Sequence, residues 1–189
     1  MRGLFYYSAI NGDISNWNVS NVENMSDMFS NSKFNGDISN WDVSNVTDMS
    51  WLFYYNSQFN NDISNWNVAK VTNMSSMFKR SEFNNDISKW DVSKVENMAG
   101  MFMNTEFSGD ISNWNVSNVE NMRAMFADRQ FNNDISIWDV SKVEDMAYMF
   151  SNSKFNGDIS NWDVSKVEDI AYMFEGCPLE KNPPKWYKK

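Results

Sequence analysis

The chain has 189 residues with 25 acidic and 16 basic side chains, a net charge of −9, no histidine and a single cysteine, Cys177. That set excludes a Ser/His/Asp or Cys/His relay and the usual zinc ligand groups. The acidic balance disfavours nucleic acid, whose phosphates are met by Lys and Arg. An apolar fraction of 42%, 16% aromatics and a mean hydropathy of −0.59 predict a soluble chain with a sizeable core.

In chain order, Met1 to Phe5 aligns with Met25 to Phe29, which gives a partial first repeat over residues 1–9. This opening segment has neither a signal-like apolar region nor a cleavage site. No run in the chain approaches the roughly 18 apolar residues that span a bilayer, so no membrane insertion by this segment is expected. Trp17, Trp41, Trp66, Trp90, Trp114, Trp138 and Trp162 then recur at spacings of 24, 25, 24, 24, 24 and 24, which marks an internal repeat. The extra residue falls between Tyr54 and Gln58, where a surface turn is expected to absorb it. Residues 1–179 read as one repeat array with seven strand-bearing repeats. The prolines Pro178, Pro183 and Pro184 fall after the last repeat, and residues 180–189 read as a C-terminal capping tail.

Within one repeat, Trp41 and Val43 alternate with Asn40, Asp42 and Ser44, the period of a short strand with one buried face. From Val46 the apolar spacing lengthens to three or four residues through Met49, Leu52 and Phe53, which predicts a helical or 3₁₀ segment. The pairs Ser20/Glu23, Ser93/Glu96, Ser117/Glu120, Ser141/Glu144 and Ser165/Glu168 have the form of a capping box before it. The expected fold is therefore an α/β repeat solenoid, with one short parallel strand and a short helical segment per 24-residue coil. The Trp and Met columns are expected to pack its core.

Two polar columns carry the candidate sites. The first pairs Gly12 with Asp13, Gly36 with Asp37, Asn61 with Asp62, Asn85 with Asp86, Gly109 with Asp110, Asn133 with Asp134 and Gly157 with Asp158. These read as structural turns, with Gly or Asn in a left-handed conformation and the Asp accepting backbone N–H groups. The alternative is a calcium-stabilised β-roll, although one fixed carboxylate per turn is thin against the about six to eight oxygens calcium takes. The second column, Asn18, Asp42, Asn67, Asp91, Asn115, Asp139 and Asp163, forms a polar ladder and the ligand-binding candidate. The columns beside it vary more: Asn16, Asn40, Asn65, Lys89, Asn113, Ile137 and Asn161 on one side, Asn21, Asn45, Lys70, Lys94, Asn118, Lys142 and Lys166 on the other. Off-pattern aromatics, Trp51, Tyr54, Tyr55, Tyr148 and Tyr172, are anchor candidates. Cys177 takes the slot of Ser32, Ser81, Thr105 and Ser153 and reads as a small buried residue.

The unit I-x-x-W-x-V-x-x-V-x-x-M-x-x-M-F-x-x-S/C, as in Ile38 to Phe53, resembles the BspA-type leucine-rich repeat, and its N-G-D-I-S-x-W-D-V-S form looks like the subclass of mycoplasma-type surface lipoproteins. The resemblance covers Met1 to about Leu179. It implies a leucine-rich-repeat-like array displayed on a cell surface or outside the cell, with roles in adhesion or host-protein and matrix interaction, while the polar ladder itself offers a face for a protein or glycan partner. It supplies no catalytic residues. The expectation is a non-enzymatic binding module with no cofactor, no metal site and no nucleic-acid partner. The second expectation is a purely structural module capable of end-to-end self-association.

Overall fold

The computed structural model describes residues 1–188. The chain forms a column of coils, one repeat to each, in which residues about 24 apart lie one above the next. A single residue per coil pairs in parallel with its equivalent, as Asn24 with Asp48, Asp48 with Asn73, and so on through Asn97, Asn121 and Asp145 to Asp169.

These bridges stay isolated, and the expected strand and helix do not form. Among the described residues the one helical element is a 3₁₀ turn, Pro178–Glu180. The α/β leucine-rich-repeat-like architecture is therefore wrong for this chain, and the capping-box pairs start no helix. The reason lies in where the backbone donors go. In the segment that the spacing marked as helical, the N–H groups of Met49, Trp51, Phe53 and Tyr55 cross to the carbonyls of Asn73, Ser75, Met77 and Lys79 in the next coil, at 2.9 Å each. The intervening N–H groups of Leu52, Tyr54 and Asn56 close turns onto Met49, Trp51 and Phe53. No i→i−4 donor remains, and Trp51 and Tyr55 sit at φ +59° and +54°, which a right-handed helix forbids.

The expected strand is divided in the same way by its polar residues. Asn and Asp side chains hydrogen-bond nearby backbone N–H groups and so compete with a sheet ladder. Asp37 accepts from the N–H of Ser39 at 2.9 Å, Asp42 from Ser44 at 3.1 Å and Asp48 from Ser50 at 2.9 Å. Each coil is thus a chain of short turns, and the apolar period of three or four residues reflects those turns.

Side chains from successive coils interleave to form the core. Phe29, Phe53, Phe78, Phe102, Phe126, Phe150 and Phe174 stack at centroid distances of 5.6 to 6.1 Å with nearly parallel rings. A second row, Phe34, Phe59, Phe83 and Phe107, stacks beside it at 6.2 to 6.4 Å. Each fully buried ring stabilises the stack by up to about 3 kcal/mol, and none of that exists for a coil alone.

The Trp column adds a polar stitch. The indole Nε1 of Trp41, Trp66, Trp90, Trp114, Trp138 and Trp162 donates to the carbonyl of Ile14, Ile38, Ile63, Ile87, Ile111 and Ile135 in the preceding coil, at 3.1 to 3.3 Å. Trp17, at the end of the column, is 40% exposed.

The tail continues this register. Trp186 lies 24 residues after Trp162, and its Nε1 donates to Ile159 at 2.9 Å. Glu180 accepts the N–H of Gly176 at 2.9 Å, and the Tyr187 ring meets Phe174 edge-on at 4.8 Å. Residues 180–188 thus cover part of the last coil, while Lys189 lies outside the described residues. The extra residue near Asn56 is handled internally. Asn56 is fully buried, donates to Ser32 and Phe34, and accepts from Gln58 and Phe59. Only Tyr55, Ser57 and Gln58 of that turn reach the surface fully.

Candidate functional site

The first polar column forms the Asp turns the sequence suggests but not the left-handed glycines. Among the described residues, those with positive φ all fall in two other columns. One runs Gly3, Asp27, Trp51, Ser76, Gly100, Ala124, Tyr148 and Tyr172, and the other runs Tyr7, Asn31, Tyr55, Arg80, Asn104, Asp128, Asn152 and Gly176. Gly36 serves a different need: a Cβ there would stand 2.7 Å from the Phe34 ring. Where Asn replaces Gly, its amide bonds the coil before, as Asn61 does to the carbonyls of Asn35 and Gly36 and Asn133 to those of Ser108 and Gly109.

The turn carboxylates are held ionised by their own coil. Hydrogen bonds from the serine two residues on lower the pKa of every Asp in this column and of Asp42, Asp91, Asp139 and Asp163. The serine hydroxyl is the larger cause at Asp13, Asp42, Asp62, Asp91, Asp139 and Asp163. The backbone N–H leads at Asp37, Asp86, Asp110, Asp134 and Asp158. Each coil contributes one carboxylate to the first column, and among the described residues no three His, Cys, Asp or Glu side chains gather as a ligand set.

The second column is brought together as a comb. Asn18, Asp42, Asn67, Asp91, Asn115, Asp139 and Asp163 are all exposed and lie one per coil along the stack. Each spends Oδ1 on the N–H two residues on, as Asn18 to Ser20 at 3.1 Å and Asn115 to Ser117 at 3.2 Å. The rest of each amide or carboxylate faces solvent in a fixed orientation. Beside the comb, Ile137 is 73% exposed where the neighbouring coils carry Asn113 and Asn161.

Three features were missed from the sequence. Arg123 stands in the slot of Ser26, Ser50 and Ala99, and its Nη1 contacts Asp169 at 3.1 Å and Asp145 at 3.4 Å. Its guanidinium also lies 5.1 Å from the Tyr148 ring centre. The signal was a cation breaking a column of small residues. Lys79 is half-buried. Burial first, and then the Arg80 charge, push its ammonium pKa down, while Asp128 opposes them. The third is Trp186, obscured by its prolines. Cys177 is buried, and burial pushes its thiol pKa up, which suits a packing residue and not a nucleophile.

The family described as a Mycoplasma protein of unknown function, DUF285, matches residues 1–106 and again residues 79–186. No curated protein and no solved structure matches the chain.

Proposed function

The chain belongs to the DUF285 family, and from that premise we propose that it is a non-enzymatic binding module of the BspA-like kind its sequence resembles, displayed at a cell surface or outside the cell. It engages a protein or glycan partner through the comb Asn18, Asp42, Asn67, Asp91, Asn115, Asp139 and Asp163. The observation supporting this reading is the division of labour within each of these side chains. One oxygen shapes the coil, and the remaining polar atoms face outward at the stacking interval, so the surface is ordered before a partner arrives. Variation beside the comb, at Lys89 and Ile137, gives such a surface its individuality.

The test is a panel of extracellular-matrix proteins and glycans probed with the chain and with a variant resetting Lys89 and Ile137 to the repeat's Asn. A partner held by the first and weakened in the second supports the reading. No partner at micromolar concentration, or identical binding by both, removes it. Intact cells treated with a non-permeant label test display, since an unlabelled chain contradicts it.

End-to-end self-association is the second reading. Leu4, Tyr6, Tyr7 and Trp17 are exposed at one end of the column and favour it. Glu180 and Tyr187 compete for the opposite face. Sedimentation across a concentration series decides, and an unchanging monomer rules it out.

A further inference from the structure

The turn-built side of the column carries a trough produced by differences between repeats. Along the left-handed column the residues run Trp51, Ser76, Gly100, Ala124 and Tyr148, so two bulky aromatics stand either side of three small residues. Four coil steps at the interval of paired strands place them about 19 Å apart. The cavity between holds ≈ 510 Å³, and its charged lining is Lys79, Arg123, Asp128 and Glu175, with Asn152 beside them.

Both aromatic walls are braced. Trp51 meets Tyr54 edge-on at 4.8 Å, and Tyr148 stacks on Tyr172 at 5.1 Å. Each holds φ +59°, a conformation that costs a bulky L-residue about 1 to 2 kcal/mol and persists only where its surroundings enforce it.

The charges in the trough are unequal. Arg123 is engaged with Asp145 and Asp169. The Lys79 stem runs beside Gly100, and its ammonium makes no ion pair among the described residues. Asp128 acts on this ammonium without closing an ion pair, so the partly buried cation keeps room for one carboxylate of a ligand.

The floor argues for sugar over peptide. Peptides that bind by extension need free backbone groups to pair with. Here the N–H groups of Ser76, Gly100, Ala124 and Tyr148 all donate to the following coil, at 2.7 to 2.9 Å. What the trough offers is the exposed Trp51 ring and one cation without an ion pair, since Arg123 covers the Tyr148 ring and the Asn152 amide already donates to Asp128 at 3.2 Å.

We propose that the trough between Trp51 and Tyr148 binds a short carboxylate-bearing oligosaccharide, with a sugar face against the Trp51 ring and a carboxylate on Lys79 Nζ. The site is separate from the comb and does not depend on it.

Calorimetric titration of tetragalacturonate into the full chain tests this, with the fully methyl-esterified tetrasaccharide as the uncharged comparison. The acid binds, and the ester, Lys79→Gln and Trp51→Ala each weaken binding by about tenfold or more. Ala124→Tyr adds a bulk that this column already accepts at Tyr148, and it abolishes binding by filling the trough. Unchanged urea midpoints exclude unfolding, and the ester comparison needs no variant. The proposal fails if neither tetragalacturonate nor a hyaluronan tetrasaccharide binds at millimolar concentration, or if binding survives both Lys79→Gln and Ala124→Tyr. It also fails if the trough holds an acidic peptide in preference to either sugar.

Discussion

The indole of Trp90 donates from Nε1 to the carbonyl of Ile63, one coil earlier, at 3.1 Å. That carbonyl also accepts the N–H of Trp66 at 3.1 Å, so one backbone oxygen closes its own coil's turn and receives the next coil's side chain. The bond repeats from Trp41 to Trp186 and makes tryptophan, among large apolar residues, the one that joins coils as well as filling them.

Trp90→Phe tests this. Losing the hydrogen bond and leaving unfilled volume should cost about 2 kcal/mol, read as a lower urea midpoint. Trp17→Phe, at the exposed end of the column, should cost well under half of that. Equal losses at the two positions would show that the inter-coil bond contributes nothing.

Two glycines in different slots of the repeat, Gly100 and Gly12, separate backbone need from packing. Gly100 holds φ +63°, and a Cβ there would come 3.2 Å from the Ser76 hydroxyl. Gly12 has a φ outside the left-handed range and nothing within 4 Å. Gly100→Ala should destabilise by about 1 to 2 kcal/mol, whereas Gly12→Ala should be neutral or slightly stabilising. Thermal melts of the two variants decide, and a larger loss at Gly12 would reverse the assignment of left-handed positions.

Arg123→Ala removes the cation shared by Asp145 and Asp169. All three groups are partly exposed, so the loss should stay under about 1 kcal/mol and shrink with added salt. A loss that grows with salt, measured in urea melts, would contradict an electrostatic role.

The Asp turns set the pH response. Their folded pKa values lie below the unfolded one of about 3.9, so the stability they confer is fully present above that value and is lost as pH falls through the folded values. With no histidine in the chain, the melting temperature should stay flat from about pH 8 to 5 and then drop below about pH 4. A strong slope between pH 6 and 8 would show that other groups govern stability.

The core was legible because each column repeats one residue type at one interval. Phe53, Phe78, Met74, Val71 and Trp66 are all buried as that periodicity implies. The comb and the Asp turns were legible for the same reason. Secondary structure was not, because an apolar spacing of three or four residues is common to a helix and to consecutive turns. The choice between them was made by where N–H groups such as those of Met49 and Phe53 go, which depends on a neighbouring coil. The left-handed residues were misplaced because Gly36 looked like a conformational glycine and serves Phe34, while Trp51 and Tyr148 occupy φ values their side chains disfavour. The trough needed the structure, since its walls and floor come from five different repeats.

The central claim is that each coil is built of turns and bonds to the next coil where a helix would bond to itself. The N–H of Phe78 donates to the carbonyl of Met101 at 3.0 Å, while a helix would send it to Met74. Through-hydrogen-bond NMR coupling detected from the Phe78 amide nitrogen distinguishes the two. A coupling to the Met101 carbonyl carbon is the predicted result, and a coupling to that of Met74 would contradict the account.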